Sequence, residues 1–330
     1  MNRDKTLDIV KGVGIILVVL GHSYTFSNWL TQLIGAFHMP CFFMVSGILY
    51  RMQFDRKGNC VFRLRSKAKT LLIPWLFWGS CYLLFIRILR IIGGESLRDV
   101  FACSLRSIFM LNAGAVGFLP ALFLSTWLFL ATLPRPKLNW AVTIICLLFG
   151  LFGAGGEGLV NKVLRAMLAC GFLGVGFYGK ALIREKRYSP AVLVILSVAF
   201  VLLARLNGLV IMYNRTLQFP PLFLLNGILG SLLLIQFCQR IAVLPGKAVD
   251  ALAVLGQKSM VILCVHQMLL EVIWLADHKL TGGMIRQAGL WEGLALTAIV
   301  ITLIACCFPL CDRYFYTLFG YQKQEKKNHV

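Results

Sequence analysis

The sequence predicts an all-α fold: a polytopic membrane bundle of about ten transmembrane helices. Hydrophobic residues make up 59% of the 330-residue chain and charged residues only 14%, against about 45–50% and about 25% in soluble domains. A single soluble core cannot bury that much apolar side chain, so the excess must face lipid. Ten spans of about 20 residues would use roughly 200 residues, which leaves little chain for a separate soluble domain.

The positions of the helices follow from the apolar runs, because backbone that faces lipid must satisfy its own hydrogen bonds. The glycines of residues 153–156 blur the boundary between the fifth and sixth runs, and Lys258 and His266 interrupt the ninth. We expect one membrane domain, residues 1–312, followed by a short basic cytoplasmic tail, residues 313–330. The ten runs are residues 7–27, 35–50, 71–92, 116–133, 138–154, 163–183, 190–205, 219–237, 251–276 and 290–311.

The basic residues predict the orientation of the bundle. The net charge is +20, with 33 Lys and Arg against 13 Asp and Glu. If the N-terminus is cytoplasmic, the loops and tails on that side hold about twice as many bases as the outer loops and helix ends, among which Arg165 is counted. The positive-inside rule therefore predicts cytoplasmic N- and C-termini in the cell (cytoplasmic) membrane. Bases in short gaps between apolar runs suit anionic lipid headgroups better than nucleic acid, so we expect no nucleic-acid partner.

The 11 cysteines do not indicate a metal or disulfide site. Most lie inside apolar runs, and no two form a CxxC pair. Buried thiols behave as small hydrophobic residues, whereas metal or disulfide frameworks need characteristic spacings. We therefore expect small core residues and no metal centre.

The first apolar run contains Asp8, Lys11 and His22. Ionisable groups at a membrane centre cost about 2.5–3.5 kcal/mol on insertion scales and usually line a functional interior. Lys11 and His22 are eleven residues apart, which places them on one face of a helix, about 16 Å apart along its axis; Asp8 is close enough to pair with Lys11. A purely structural interpretation is also open for each residue. Lys11 would then reach the cytoplasmic interface with Asp8 as its partner, and His22 would be an interfacial histidine whose hydrogen bonds are satisfied. An orienting partner for His22 must come from another helix.

Several segments form an ordered pattern along the chain. RDKTLDIVKG at residues 3–12 leads to VVLGH at 18–22; FHMPCFFMVSG follows at 37–47, LLIPW at 71–75, GFLPALF at 117–123, and LGQKS at 255–259 before His266. In content and order these segments resemble the acyltransferase family 3 membrane proteins, especially their sugar O-acetylase branch. Lys11 stands where the family usually has arginine, and Gly117 where it has tryptophan.

The resemblance implies an O-acyltransferase, with acetyl as the expected acyl group, that acts from cytoplasmic acyl-CoA onto a hydroxyl of an envelope, capsular or exopolysaccharide sugar. Acetyl-CoA is thus expected as a donor substrate, with no bound cofactor. His22 is implied as the catalytic histidine, with Lys11 and Asp8 beside it in the family pattern. Lysine keeps the positive charge of arginine but lacks its planar fork.

The chemistry of these residue types agrees with that reading. Histidine titrates near neutrality and suits deprotonation of an acceptor hydroxyl; a transient acyl-imidazole is the second possibility. Four bases at the entry to the third helix are expected to bind the phosphates of the donor, although they are also ordinary topology-setting charge. They are Arg63, Arg65, Lys67 and Lys69.

Three further polar residues are expected on the acceptor side or along a pore. His38 lies near the outer end of the second helix, where it either contacts the acceptor or is solvated. Ser259 and His266 are seven residues apart and share a helix face. Buried charges and broken spans are also typical of secondary transporters, so a transporter or flippase for an envelope precursor is the alternative. Dependence on acyl-CoA separates the two.

Overall fold

The computed structural model describes residues 4–23, 29–60, 64–94, 96, 98, 114–154, 158–283 and 289–321. Within these ranges the chain is almost entirely helical, and its β pairing is limited to an isolated antiparallel bridge between Ile211 and Thr216. The all-α prediction is therefore confirmed.

The described residues form a helical bundle with nine helices that are long and apolar enough to cross a membrane. Two further helices are too short to count among them. The helices are α1 (Lys5–Ser23), α2 (Trp29–Lys57), α3 (Leu64–Ile92), α4 (Gly114–Thr132), α5 (Pro136–Phe152), α6 (Leu159–Tyr178), α7 (Pro190–Asn207), α8 (Pro220–Ile241), α9 (Lys247–Gln257), α10 (Ser259–Thr281) and α11 (Leu290–Tyr314).

The fifth predicted span is present as α5, but it is shorter than expected. It begins at a proline, ends at Phe152 and contains 17 residues, so it rises about 26 Å. The hydrocarbon core is about 30 Å thick. The glycine-rich segment after Phe152 ends the helix because Gly153 takes an extended ψ of 130°.

The ninth predicted span, residues 251–276, is two helices. Helix α9 ends at Gln257, and α10 begins at Ser259 after a break in helical geometry at Lys258. The break follows from tertiary contacts. The Lys258 ammonium pairs with Asp312 and lies 5.2 Å from the centre of the Tyr321 ring.

Very close backbone approaches hold the bundle together. A Cβ atom added to Gly47 of α2 would lie 2.0 Å from the Leu173 carbonyl oxygen of α6, and one at Gly176 would lie 2.1 Å from the Met44 carbonyl oxygen. Small residues permit this packing, which drives helix association where lipid gives no hydrophobic gain. The α2–α6 crossing therefore depends on glycine on both helices.

Polar contacts cluster at the two ends of the bundle. At the end that contains Lys11, which we call the Lys11 end, Lys180 pairs with Asp55 at 2.5 Å and Arg184 pairs with Asp4. At the opposite end, the His22 end, the hydroxyls of Ser23 and Thr297 lie 3.1 Å apart. The middle of the bundle is mostly apolar, so the ionisable groups that reach inward from either end define the site.

Candidate functional site

A cavity of about 600 Å³ opens among the helices at the His22 end. We call it the His22 cavity. Its wall is largely apolar, and none of the described residues that form it is acidic. Its main polar residues are His22, His38, Tyr82, Arg165, Tyr213 and Gln267.

A second cavity of about 170 Å³, the Lys11 cavity, lies towards the Lys11 end. Lys11, Ser46 and Ser259 are the polar residues of its wall. The two cavities share wall residues, so a single apolar layer separates them. The shared residues are Val18, Met39, Phe118 and Leu263.

His22 lies against His266 of α10. The centres of the two rings are 5.3 Å apart, and their planes are inclined by 47°. His22 is exposed to the cavity, whereas His266 is completely buried. His266 Nδ1 lies 2.8 Å from the Ile262 carbonyl oxygen, and a carbonyl only accepts, so Nδ1 must carry the proton.

That tautomer leaves His266 Nε2 as an acceptor. Nε2 is buried and has no hydrogen-bond partner among the described residues. Because buried polar atoms are normally satisfied, an unpaired acceptor beside His22 is a specific feature of this site. The helix that brings this acceptor to His22 is α10.

Asp8 and Lys11 form the ion pair that their spacing suggested. Lys11 Nζ donates to Asp8 Oδ1 at 2.9 Å, and Gln257 Nε2 donates to Asp8 Oδ2 at 3.3 Å. Asp8 is buried, with an exposed fraction of 2%, because α9 covers it. Lys11 reaches the Lys11 cavity and not the His22 cavity.

His38 and Ser259 lie in different cavities. His38 lines the His22 cavity, and its Nδ1 donates to the Ile34 carbonyl oxygen at 2.6 Å, which leaves Nε2 as the second ring nitrogen for a ligand. Ser259 lines the Lys11 cavity together with Lys11. On α10, Ser259 therefore borders the Lys11 cavity, and His266 lies behind His22 at the other cavity.

Arg165 is the main polar residue that the sequence analysis did not select. It lies in α6 with an exposed fraction of 7% and donates to the carbonyl oxygens of Tyr213 and Gly117, both at 3.1 Å. Its guanidinium carbon is 4.8 Å from the centre of the Tyr213 ring. Its place near the start of an apolar run led to its assignment as loop charge, although a charge inside such a run already indicated burial.

Comparison with known proteins shows the family of this chain. A family model for an acyltransferase domain, acyltransferase family 3, matches residues 4–311. The chain belongs to this family. The resemblance of its ordered segments is thereby confirmed, and the protein is a multi-pass membrane acyltransferase.

Two curated relatives match a shorter part of the acyltransferase. Nodulation protein NolL of Sinorhizobium fredii is 44% identical over 87 residues, which cover 23% of this chain and 24% of the relative. Nodulation protein NolL of Mesorhizobium japonicum is 36% identical over 87 residues, 23% of each chain. The match thus spans about a quarter of the length of either relative. No solved structure matches.

Gly117 stands where the resemblance described above would place a tryptophan. A Cβ atom at Gly117 would lie 3.2 Å from the Tyr213 ring. The aromatic ring of Tyr213, from the loop between α7 and α8, therefore occupies the space beside this position. The Gly117 carbonyl remains engaged as an acceptor for Arg165.

Gln267 connects α10 to the start of α4 across the His22 cavity. Its Oε1 accepts from the Ala115 backbone N–H at 2.6 Å, and its Nε2 donates to the Tyr82 hydroxyl at 2.9 Å. The amide is thereby fixed in one orientation. It follows His266 directly in sequence, so α10 supplies two adjacent polar residues to the site.

Three of the four predicted donor-binding residues, Arg65, Lys67 and Lys69, are described, and none of them lines either cavity. Arg63 is outside the described residues. Arg65 and Lys69 are exposed at the start of α3, and Lys67 Nζ lies 4.9 Å from the centre of the Tyr50 ring. They form a basic surface at the Lys11 end. In the described parts of the chain, no cluster of three His, Cys, Asp or Glu residues suited to a metal ion occurs.

Proposed function

We propose that the acyltransferase moves an acetyl group from cytoplasmic acetyl-CoA to a hydroxyl of an envelope, capsular or exopolysaccharide sugar. The observation that supports this proposal is the pair of cavities that meet at one apolar layer, with Lys11 in the wall of one and His22 in the wall of the other. Such an arrangement allows a donor and an acceptor to approach from opposite ends. The proposal places the Lys11 end and both termini in the cytoplasm, in agreement with the distribution of basic residues; this requires the shorter α5 to cross the membrane as the tenth span.

The donor enters at the Lys11 end. The exposed bases Arg65 and Lys69, together with Lys67, provide charge for the CoA phosphates. The Lys11 cavity, at about 170 Å³, suits a short acyl group and the narrow part of the donor better than its nucleotide. A small acyl group is therefore the preferred cargo.

His22 is the general base in this proposal. It takes the proton of the acceptor hydroxyl while the hydroxyl oxygen attacks the thioester carbonyl carbon. The carbon–sulfur bond then breaks, and the departing thiolate takes the proton from His22. Val18, one helical turn before His22, borders both cavities, so the thioester needs to pass only one apolar layer to reach the base.

His266 is the positioning residue for His22. Its Nδ1–H is committed to the Ile262 carbonyl, so its Nε2 is available to accept the N–H of His22. That hydrogen bond would leave the other His22 nitrogen unprotonated and directed to the acceptor, as the orienting groups of catalytic histidines do.

Lys11 acts on the donor in this proposal and not on the acceptor. It is about 16 Å from His22 along α1, which is too far to contact the same reacting atom. Asp8 compensates its charge within the buried pair, and Ser259 lies beside it in the cavity wall. We assign Lys11 and Ser259 to the passage of the thioester.

The decisive experiment is acetyl-CoA consumption by the purified protein in nanodiscs, with mixed bacterial envelope glycans as acceptors. His22→Ala is measured beside wild type, and His278→Ala is the matched control, because His278 is exposed at the far end of α10. We expect turnover in wild type and the control and its loss in His22→Ala. Equal turnover in all three would refute the role of His22.

Two alternatives remain distinguishable in the same assay. An acyl-imidazole on His22 would give ping-pong kinetics and a trapped acyl-enzyme, in contrast to the direct transfer proposed above. A transporter or flippase would not depend on acyl-CoA. Absence of donor binding would favour transport over transfer, although membership of an acyltransferase family supports the enzyme.

A further inference from the structure

We propose that Arg165, in the wall of the His22 cavity, binds an oxoanion, a carboxylate or phosphate group, on the acceptor, and that Lys162, which is not part of that wall, adds a second positive charge beside Arg165. This inference rests on the proposed function, because it assigns the acceptor to the His22 cavity, and it deepens that function by naming a charged class of acceptor.

Arg165 supplies the first positive charge. A charge buried at membrane depth is costly and marks a functional site unless it is compensated. Both hydrogen bonds of Arg165 in the described structure go to neutral carbonyl oxygens, of Tyr213 and Gly117. They use two of five N–H donors and leave the charge itself without a counterion among the described residues.

Lys162 supplies the second charge. It lies three residues before Arg165 on α6, so the two side chains are neighbours on the helix surface. Its Nζ is buried and has no hydrogen-bond partner among the described residues. Two like charges at this spacing repel each other, and an ammonium without partners is expensive to bury. An anion between or beside them removes both costs.

The cavity offers no internal counterion in the part of the chain that the structure describes, because its wall contains no acidic residue. The Arg165 fork is held in one place by its two carbonyls and by the Tyr213 ring. A fixed guanidinium suits planar carboxylates and phosphates, which accept paired hydrogen bonds from it. The geometry therefore favours an acceptor such as a uronic acid or a sugar phosphate.

Binding is measured on the full chain in dodecyl maltoside micelles by calorimetry, with three probes: methyl galactoside, its uronate counterpart and inorganic pyrophosphate. We expect the two anions to bind at least about 10-fold more tightly than the neutral sugar. Arg165→Gln should weaken anion binding about 10- to 100-fold and Lys162→Gln severalfold. Arg205→Gln is the charge-matched control, because Arg205 is exposed near the C-terminal end of α7. This variant should leave the affinity for all three probes unchanged.

Several outcomes would overturn the proposal. Equal affinities for neutral and anionic probes would do so, and so would equal losses in the Arg165→Gln and Arg205→Gln variants. If Arg165→Gln fails to fold, Lys162→Gln decides, because Lys162 makes no hydrogen bond through its Nζ in the described structure. Glu157 lies outside the described residues; if it neutralises these cations, Glu157→Gln will tighten anion binding and wild type will show no preference for anions.

A second arm separates the acceptor from membrane lipid as the source of the anion. Probe binding is repeated in nanodiscs of phosphatidylcholine with and without phosphatidylglycerol. Unchanged binding supports a site for the acceptor, whereas displacement of the probe by phosphatidylglycerol would assign the site to a lipid headgroup. Transfer to neutral sugars without preference for anions would overturn this inference alone; loss of all acetyl-CoA turnover would instead count against the proposed function.

Discussion

Replacement of Gly256 by alanine should push α9 away from α1. A Cβ atom at Gly256 would lie 1.7 Å from the Asp8 carbonyl oxygen, and Gly12 faces it with a backbone nitrogen at 2.8 Å. Ordinary contact begins at 3.4 Å, so the new methyl group must retreat by about 1.7 Å. Both contacts are backbone atoms, so no flexible side chain can give way.

The expected loss of stability follows from three contributions. Overpacking of this kind costs about 1–3 kcal/mol. The hydrogen bond from Gln257 to Asp8, already 3.3 Å long, would break at a further cost of about 0.5–1.5 kcal/mol. Alanine regains about 1 kcal/mol of helix propensity. The net loss is therefore about 2 kcal/mol, together with a displaced Asp8–Lys11 pair.

Thermal unfolding in micelles measures the loss, and the Michaelis constant for acetyl-CoA reports the displaced pair. Gly21→Ala, in α1, is the matched control for stability, because among the described residues its new Cβ would meet only the Ile34 side chain, at 3.6 Å. We expect a lower melting temperature and a severalfold higher donor KM for Gly256→Ala. If the two variants melt at the same temperature, the close contact between α1 and α9 does not exist.

Three further predictions concern positioning, packing and donor binding. His266→Gln should lower kcat about 10-fold or more and shift the pH profile of kcat/KM, because an amide cannot reproduce the acceptor nitrogen beside His22; an unchanged profile would remove the positioning role. Asn139→Leu should cost about 2–4 kcal/mol in thermal unfolding, since the buried amide donates to the Phe129 carbonyl and the Thr132 hydroxyl, each at 2.8 Å; a melting temperature equal to wild type would contradict this. Charge reversal of Arg65 and Lys67 together should raise the KM for acetyl-CoA at least about 10-fold and leave the acceptor KM unchanged; an unchanged donor KM would exclude them from donor binding.

The first helix shows how far helical periodicity can predict a site. Spacing placed Asp8 beside Lys11, and the ion pair is present at 2.9 Å. Spacing also placed Lys11 and His22 on one face, and each lines a cavity within the bundle. Both relations lie within one helix, where the geometry of 3.6 residues per turn fixes them without reference to any other helix.

Relations between helices were not predictable in the same way. The neighbour of His22 is His266, 244 residues later in the chain, and the cover over Asp8 is Gln257 of α9. The division of residues 251–276 into two helices was also missed. Lys258 interrupts the hydrophobic run, but the apolar residues on both sides of it predicted one span. The break depends on partners of Lys258 that lie more than 50 residues away.

The sequence by itself determined that this is an α-helical membrane protein, where most of its spans lie, and that Lys11 and His22 share one face of the first helix. The lengths of the hydrophobic runs and the helical period are local properties, so they can be read from the sequence without knowledge of the tertiary structure. The tertiary structure decided that Lys11 and His22 occupy separate cavities, that His266 stands behind His22, and that Arg165 is buried beside Tyr213. These relations depend on which helix faces which, and close glycine packing between distant segments sets that arrangement.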